Sequence, residues 1–139
     1  MNKRSFLAAA SADFLAFIDD DQLCDAEWLM AMTARMDAET ADVYLGPVVA
    51  LYPKESKHWL LAGDFHSNRP VFVRGKLRTA YTGNVILRRG SAAFIGLTFD
   101  LALGQTGGED TAFFDAAYRN GARFTYVPTA RIYEPVPTS

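Results

Sequence analysis

The chain has 139 residues, enough for one domain with a real core and too few for two comfortable ones. Half of the residues are apolar and 22% are charged, which excludes a disordered chain, and a net charge of -2 speaks against generic nucleic-acid binding. A single cysteine, Cys24, rules out an intrachain disulfide and a cysteine-built metal site, and two histidines, His58 and His66, argue against a zinc site of the histidine kind.

The N-terminal "MNKRSFLAAASA" has the outline of a secretory signal, but its apolar part is too short and Asp13 interrupts it. It reads as the end of a helix followed by a strand. No run is long enough to cross a bilayer, so the expected location is cytoplasmic, at most peripheral to the inner membrane face. "SADFLAFI" reads as a short buried strand that stops at Asp19, Asp20 and Asp21. Cys24 reads as a small buried hydrophobe. Asp25 can cap the next helix, with Glu27 favourable in its first turn. Trp28, Leu29, Met32 and Met36 recur at helical spacing and would face a core.

"ADVYLGPVVALYP" is strand-like, with Gly46-Pro47 marking a bend or bulge. Between Lys54 and Lys76 the pattern weakens into what reads as a long connection, with Trp59 and Phe65 as anchors. "TAYTGNVILRR" returns to strand character, and Gly83-Asn84 within it implies a bulge or a close backbone approach. After "GQTGGED" comes a helix of about ten residues with Phe113, Phe114, Ala117 and Tyr118 on one side. Asn120-Gly121 stops it, and "ARFTYVP" and "ARIYE" are two short final strands. Strands and helices alternate, so the class is α/β, and ligands in such sheets sit beyond the carboxyl ends of the strands.

Two acidic motifs carry chemistry. Three adjacent acids repel one another, and all-oxygen donors suit Mg²⁺ or Mn²⁺ accompanied by substrate phosphates. Along an extended strand end Asp19 and Asp21 would share a side. A solvated turn is the other reading of the triplet. In "TGGED" two glycines let the backbone pass close to a ligand, and Asp110 is either a general base or a helix cap. A third feature is charge: six cations (Arg69, Arg74, Lys76, Arg78, Arg88, Arg89) and no acid lie between Phe65 and Phe99. Such a segment either helps to hold an anionic substrate or is simply solvated.

Taken in order, "FIDDDQL", "ADVYLGPVVALYP", "AYTGNVILRRG", "LTFDLALGQTGGEDTAFF" and "ARIYEPVP" resemble bacterial family 2 glycosyltransferases of the GT-A fold. The likeness is greatest to members that build exopolysaccharide and surface oligosaccharide. It implies a partial GT-A, Rossmann-like mixed sheet flanked by helices, and one domain over residues 1–139. It implies an inverting, metal-dependent transfer of a sugar from a nucleotide-diphosphate sugar to a saccharide acceptor. By that resemblance "DDD" is the DXD site, with Asp21 and Asp19 on Mg²⁺ or Mn²⁺ and Asp19 and Asp20 toward the sugar nucleotide. Thr82, Gly83 and Asn84 would line the donor sugar, Gly108 and Glu109 would sit beside acceptor or donor, and Asp110 would be the catalytic base. Glu134 matches a recurrent acid whose role the resemblance leaves open.

Members of that family begin with a βαβ unit that binds the nucleoside, and here only a short helix precedes "DDD". The expectation is therefore a fragment, the metal-site and acceptor part of a catalytic domain. Its first strand would form an exposed edge that self-associates. The rivals are a binding remnant of such an enzyme and a phosphatase with an Asp-x-Asp after an apolar strand, which "TGGED" fits poorly.

Overall fold

A computed structural model describes residues 12–64, 67, 72–77, 80, 81, 83–97 and 109–137. Its larger sheet is built from β1 (Phe14–Ile18), β7 (Asn84–Arg88), β3 (Val43–Leu45) and β8 (Phe124–Tyr126), in that spatial order. β7 runs antiparallel to both β1 and β3, and β3 runs parallel to β8. A smaller sheet orders β2 (Leu23–Cys24), β9 (Ile132–Pro135) and β4 (Val48–Leu51), with β9 antiparallel to β2 and parallel to β4. Both sheets are mixed, as the GT-A expectation requires.

Strand alternation divides the core between the two faces of the larger sheet. Val43, Leu45, Val85 and Leu87 point to one face, where they pack with Phe113 and Phe114 of helix α3 (Glu109–Arg119). Tyr44 and Ile86 point to the other, where they meet Trp28 and Met32 of α1 (Trp28–Ala38). Helices thus cover both faces. Gly121 ends α3 in the left-handed region, at φ +94°, which fits the expected stop at Asn120-Gly121.

Three expectations need correction. Leu29 is exposed rather than core-facing, because Trp28 and Met32, one turn apart, take the buried line of α1 and Leu29 falls about 100° round it. Cys24 is exposed, since β2 is a two-residue strand at the rim of the smaller sheet. The segment after Lys54 is more than a connection. It holds a short helix, α2 (His58–Gly63), and a hairpin of β5 (Phe72–Val73) and β6 (Lys76–Leu77). Arg74 and Gly75 both have positive φ at its tip, as a two-residue primed turn demands. Of the six cations, Arg88 donates to the Ala41 carbonyl and lies over the Phe14 ring, while Arg89 donates to the Ala12 carbonyl. Arg69 and Arg78 fall outside the described residues, as do Phe65 and the expected helix before β1.

Candidate functional site

β1 delivers the acid triplet at its carboxyl end, beside the start of β7, where Ile18 pairs with Asn84. The triplet is a turn and not a continued strand. The Gln22 N–H donates to the Asp19 carbonyl at 3.2 Å, and the Asp19 N–H donates to Gln22 Oε1 at 2.9 Å. Asp19 and Asp21 still share a side, but the turn sets it, and Asp20 stays outside their cluster. Gly83 comes up against this turn. A Cβ built on it would lie 3.0 Å from Gln22 Nε2 and 3.7 Å from Asp19 Oδ2, so a side chain there would press on the Gln22 amide and touch Asp19. Gln22 was not singled out by sequence; the one signal for it is a side-chain amide directly after three acids.

Glu134 comes to the same place from the far end of the chain. One carboxylate oxygen each from Asp19, Asp21 and Glu134 lies within 4.8 Å of the others. Pairing of Leu23 with Tyr133 and of Cys24 with Ile132 carries β9 past the triplet. Asp25 fastens the junction: its Oδ1 accepts from the Glu27 N–H at 3.0 Å and its Oδ2 from the Tyr133 hydroxyl at 3.2 Å. The Glu27 N–H, and after it the Tyr133 hydroxyl and Arg131, hold the Asp25 carboxyl below the usual carboxylate range. A lowered carboxyl keeps its bonds at neutral pH and loses them only as the pH falls through its depressed value. Asp25 thus makes a turn ahead of α1 through its own side chain, whereas Glu27, the residue preceding the helix, makes no side-chain cap.

The Gly46-Pro47 bend lies against the start of β7. It divides "VYLGPVVAL" between two sheets, with β3 before it and β4 after it. The Gly46 N–H donates to the Asn84 carbonyl at 3.1 Å, and the Gly46 carbonyl accepts from the Tyr81 hydroxyl at 2.9 Å. Burial, with Tyr126 nearby, pushes the Tyr81 hydroxyl well above its ordinary range, so it stays a proton donor at any physiological pH. Asn84, expected to line a donor sugar, is fully buried, and its amide is committed to protein partners. Thr82 and Gly108 lie outside the described residues. Glu109 and Asp110 open α3, and their side chains also lie outside that description.

A model of the glycosyl transferase family 2 matches residues 2–96, which takes in β1, the acid triplet, the bend and β7. The chain belongs to glycosyl transferase family 2. The succinoglycan biosynthesis protein ExoM of Rhizobium meliloti (strain 1021) is 42% identical over 128 residues, 92% of this chain and 41% of ExoM. The chain therefore spans about two-fifths of that relative. The crystal structure of S. aureus TarS 1-349 in complex with UDP-GlcNAc superposes with a TM-score of 0.63 at 18% identity, over 98% of this chain and 38% of TarS 1-349. A further S. aureus TarS structure gives 0.63 at 20% identity, over 96% and 24%. These neighbours show the fold, a GT-A-like mixed α/β arrangement. Family membership sets aside the phosphatase reading.

Proposed function

We propose that this family 2 chain is the metal-site and acceptor part of an inverting glycosyltransferase. It would move a sugar from a nucleotide-diphosphate donor to a saccharide acceptor. The observation that carries the reading is the convergence of Asp19, Asp21 and Glu134 within 4.8 Å. Three carboxylates from two distant segments repel one another at that range, and a cation among them reverses the sign. The donor set is all oxygen, which fits Mg²⁺ or Mn²⁺. Such an ion, when bound, supplies positive charge against a departing diphosphate.

The roles of the other residues are those that the family resemblance implies. Asp110 takes the proton from an acceptor hydroxyl. The hydroxyl oxygen then bonds to the anomeric carbon while the bond to the diphosphate breaks on the opposite face, the electron pair leaving with the phosphate. Asp20, Thr82 and Gly83 stand toward the donor, and Gly108 and Glu109 beside the reacting sugars. ExoM's part in succinoglycan biosynthesis supports an exopolysaccharide acceptor, and the UDP-GlcNAc bound to TarS supports a nucleotide-sugar donor. With such donors, the proposed step runs at the cytoplasmic side. Among the described residues no helix is long and apolar enough to cross a membrane.

The test is a Mn²⁺ titration followed by the electron paramagnetic resonance of the free ion. Asp21→Asn and Glu134→Gln should each weaken binding at least about tenfold while leaving the far-ultraviolet spectrum unchanged, because neither side chain belongs to the buried core. Equal affinity in all three proteins would remove these acids from a metal role.

Self-association is part of the same proposal. Among the described residues β1 borders only β7, and Ile18 on it is 37% exposed. An open apolar edge recruits another strand. The 139-residue chain should therefore scatter light as an oligomer. A monodisperse monomer would show that the edge is covered.

A further inference from the structure

Asn84 is 0% exposed, and its side-chain amide serves three partners. Its Oδ1 accepts from Trp28 Nε1 at 2.8 Å. The two N–H bonds of Nδ2 divide between the Pro47 carbonyl at 2.9 Å and the Ala130 carbonyl at 2.7 Å. Its main chain pairs with Ile18, the residue before the acid triplet, and its own carbonyl takes the Gly46 N–H. One residue therefore joins the end of β1, the bend between β3 and β4, the approach to β9 and the start of α1. Asp19 follows directly on the first of these segments, and Glu134 lies a few residues along the third.

Only an amide fits this post. It offers an acceptor on one side, for the indole N–H, and two coplanar donors on the other, for two carbonyls. Aspartate has the same shape but would turn an acceptor oxygen toward two further acceptors. A fully satisfied buried network of this kind fixes one geometry, and a broken one does not.

We propose that Asn84 is a positioning residue whose forked amide sets the separation of Glu134 from Asp19 and Asp21. The proposal rests on the reading of those three acids as a cation site. Asn84 touches neither ion nor sugar. It acts by clamping the Ala130 and Pro47 carbonyls to the strand end that carries the acid turn.

Two variants separate this role from mere stability. Trp28→Phe removes the bond to Oδ1 and leaves the fork to both carbonyls in place. Asn84→Asp keeps the bond to Trp28 and destroys the fork. Mn²⁺ is titrated into both and into the wild type, at a temperature where circular dichroism shows native structure. Trp28→Phe should melt earlier yet bind Mn²⁺ within about threefold of wild type, while Asn84→Asp should bind at least about tenfold more weakly, as loss of an outer partner does at metal sites. Wild-type affinity in Asn84→Asp overturns the proposal, and so does an equal loss in both variants. A wild type that binds no Mn²⁺ overturns the cation reading beneath it.

Hydrogen exchange of the wild type with and without Mn²⁺ carries the test if Asn84→Asp does not fold. The Gly46 amide is bonded to the Asn84 carbonyl and lies far in sequence from all three acids. Its exchange should slow when Mn²⁺ binds, because an ion that needs the clamp must also tighten it. Unchanged exchange at Gly46 overturns the proposal.

Discussion

Asp110→Asn should lower sugar transfer on the order of a thousandfold, the middle of the range for loss of a general base. The variant should fold normally. Asp110 is the second residue of α3, inside its first turn, so its helix contribution is that of a negative charge near the positive end of the helix dipole. Neutralising it costs at most about 1 kcal/mol. Two observables therefore move by very different amounts: kcat collapses and the melting temperature barely shifts. The measurement is transfer from a nucleotide sugar by the enzyme, with thermal melts alongside. Transfer within about tenfold of wild type would show that Asp110 serves the helix alone.

The second large effect is on folding. A methyl group at Gly46 would fall onto the Ala130 carbonyl oxygen and lie 2.5 Å from Asn84 Nδ2. Neither neighbour is the free end of a flexible chain. Ala130 meets Gly46 with its backbone, and the Asn84 amide is locked by its bonds to Pro47, Ala130 and Trp28. Making room costs about 1–3 kcal/mol as overpacking. Losing the Asn84 bond to Ala130 leaves buried polar atoms without partners, about 1–3 kcal/mol more. The sum is a large fraction of the ~5–15 kcal/mol that holds a domain together. Gly46→Ala should therefore lose about 2–6 kcal/mol in urea denaturation, and a loss below about 1 kcal/mol would mean that the bend relaxes freely.

Much of the fold was legible because its signals are local. The alternation in "DVYL" and "NVIL", the helical spacing of Trp28 and Met32, and that of Phe113, Phe114 and Ala117 each mark a buried face within a few residues. The bend at Gly46-Pro47 announces itself by composition. What escaped depends on partners far along the chain. Nothing near Glu134 says that β9 will pair with a two-residue strand after the acid triplet, yet that pairing brings its carboxylate to Asp19 and Asp21. Asn84 reads locally as part of a bulge or close backbone approach, and its burial follows from Trp28 and Ala130, which no spacing rule connects to it. The turn at Asp19–Gln22 could not be told from a continued strand, because both place Asp19 and Asp21 on a shared side. α2 and the β5–β6 hairpin are too short for periodicity to register.

β3 and β4 run parallel to β8 and β9, so the last described segment completes both sheets at once: Val43 pairs with Phe124 and Val48 with Ile132. These are contacts of long sequence separation, which form late and slowly. During synthesis the acid triplet, β1, β3 and β7 leave the ribosome well before their final neighbours do. Until β8 and β9 arrive, β3 lacks one hydrogen-bonding partner, and Asp19 and Asp21 wait without Glu134. The nascent chain thus exposes an apolar strand edge until β8 and β9 have been synthesised, a state prone to aggregation and suited to capture by chaperones. Completion of the three-acid cluster is then coupled to the end of translation of this segment, and a chain stopped before β9 has the acid triplet but not the third carboxylate.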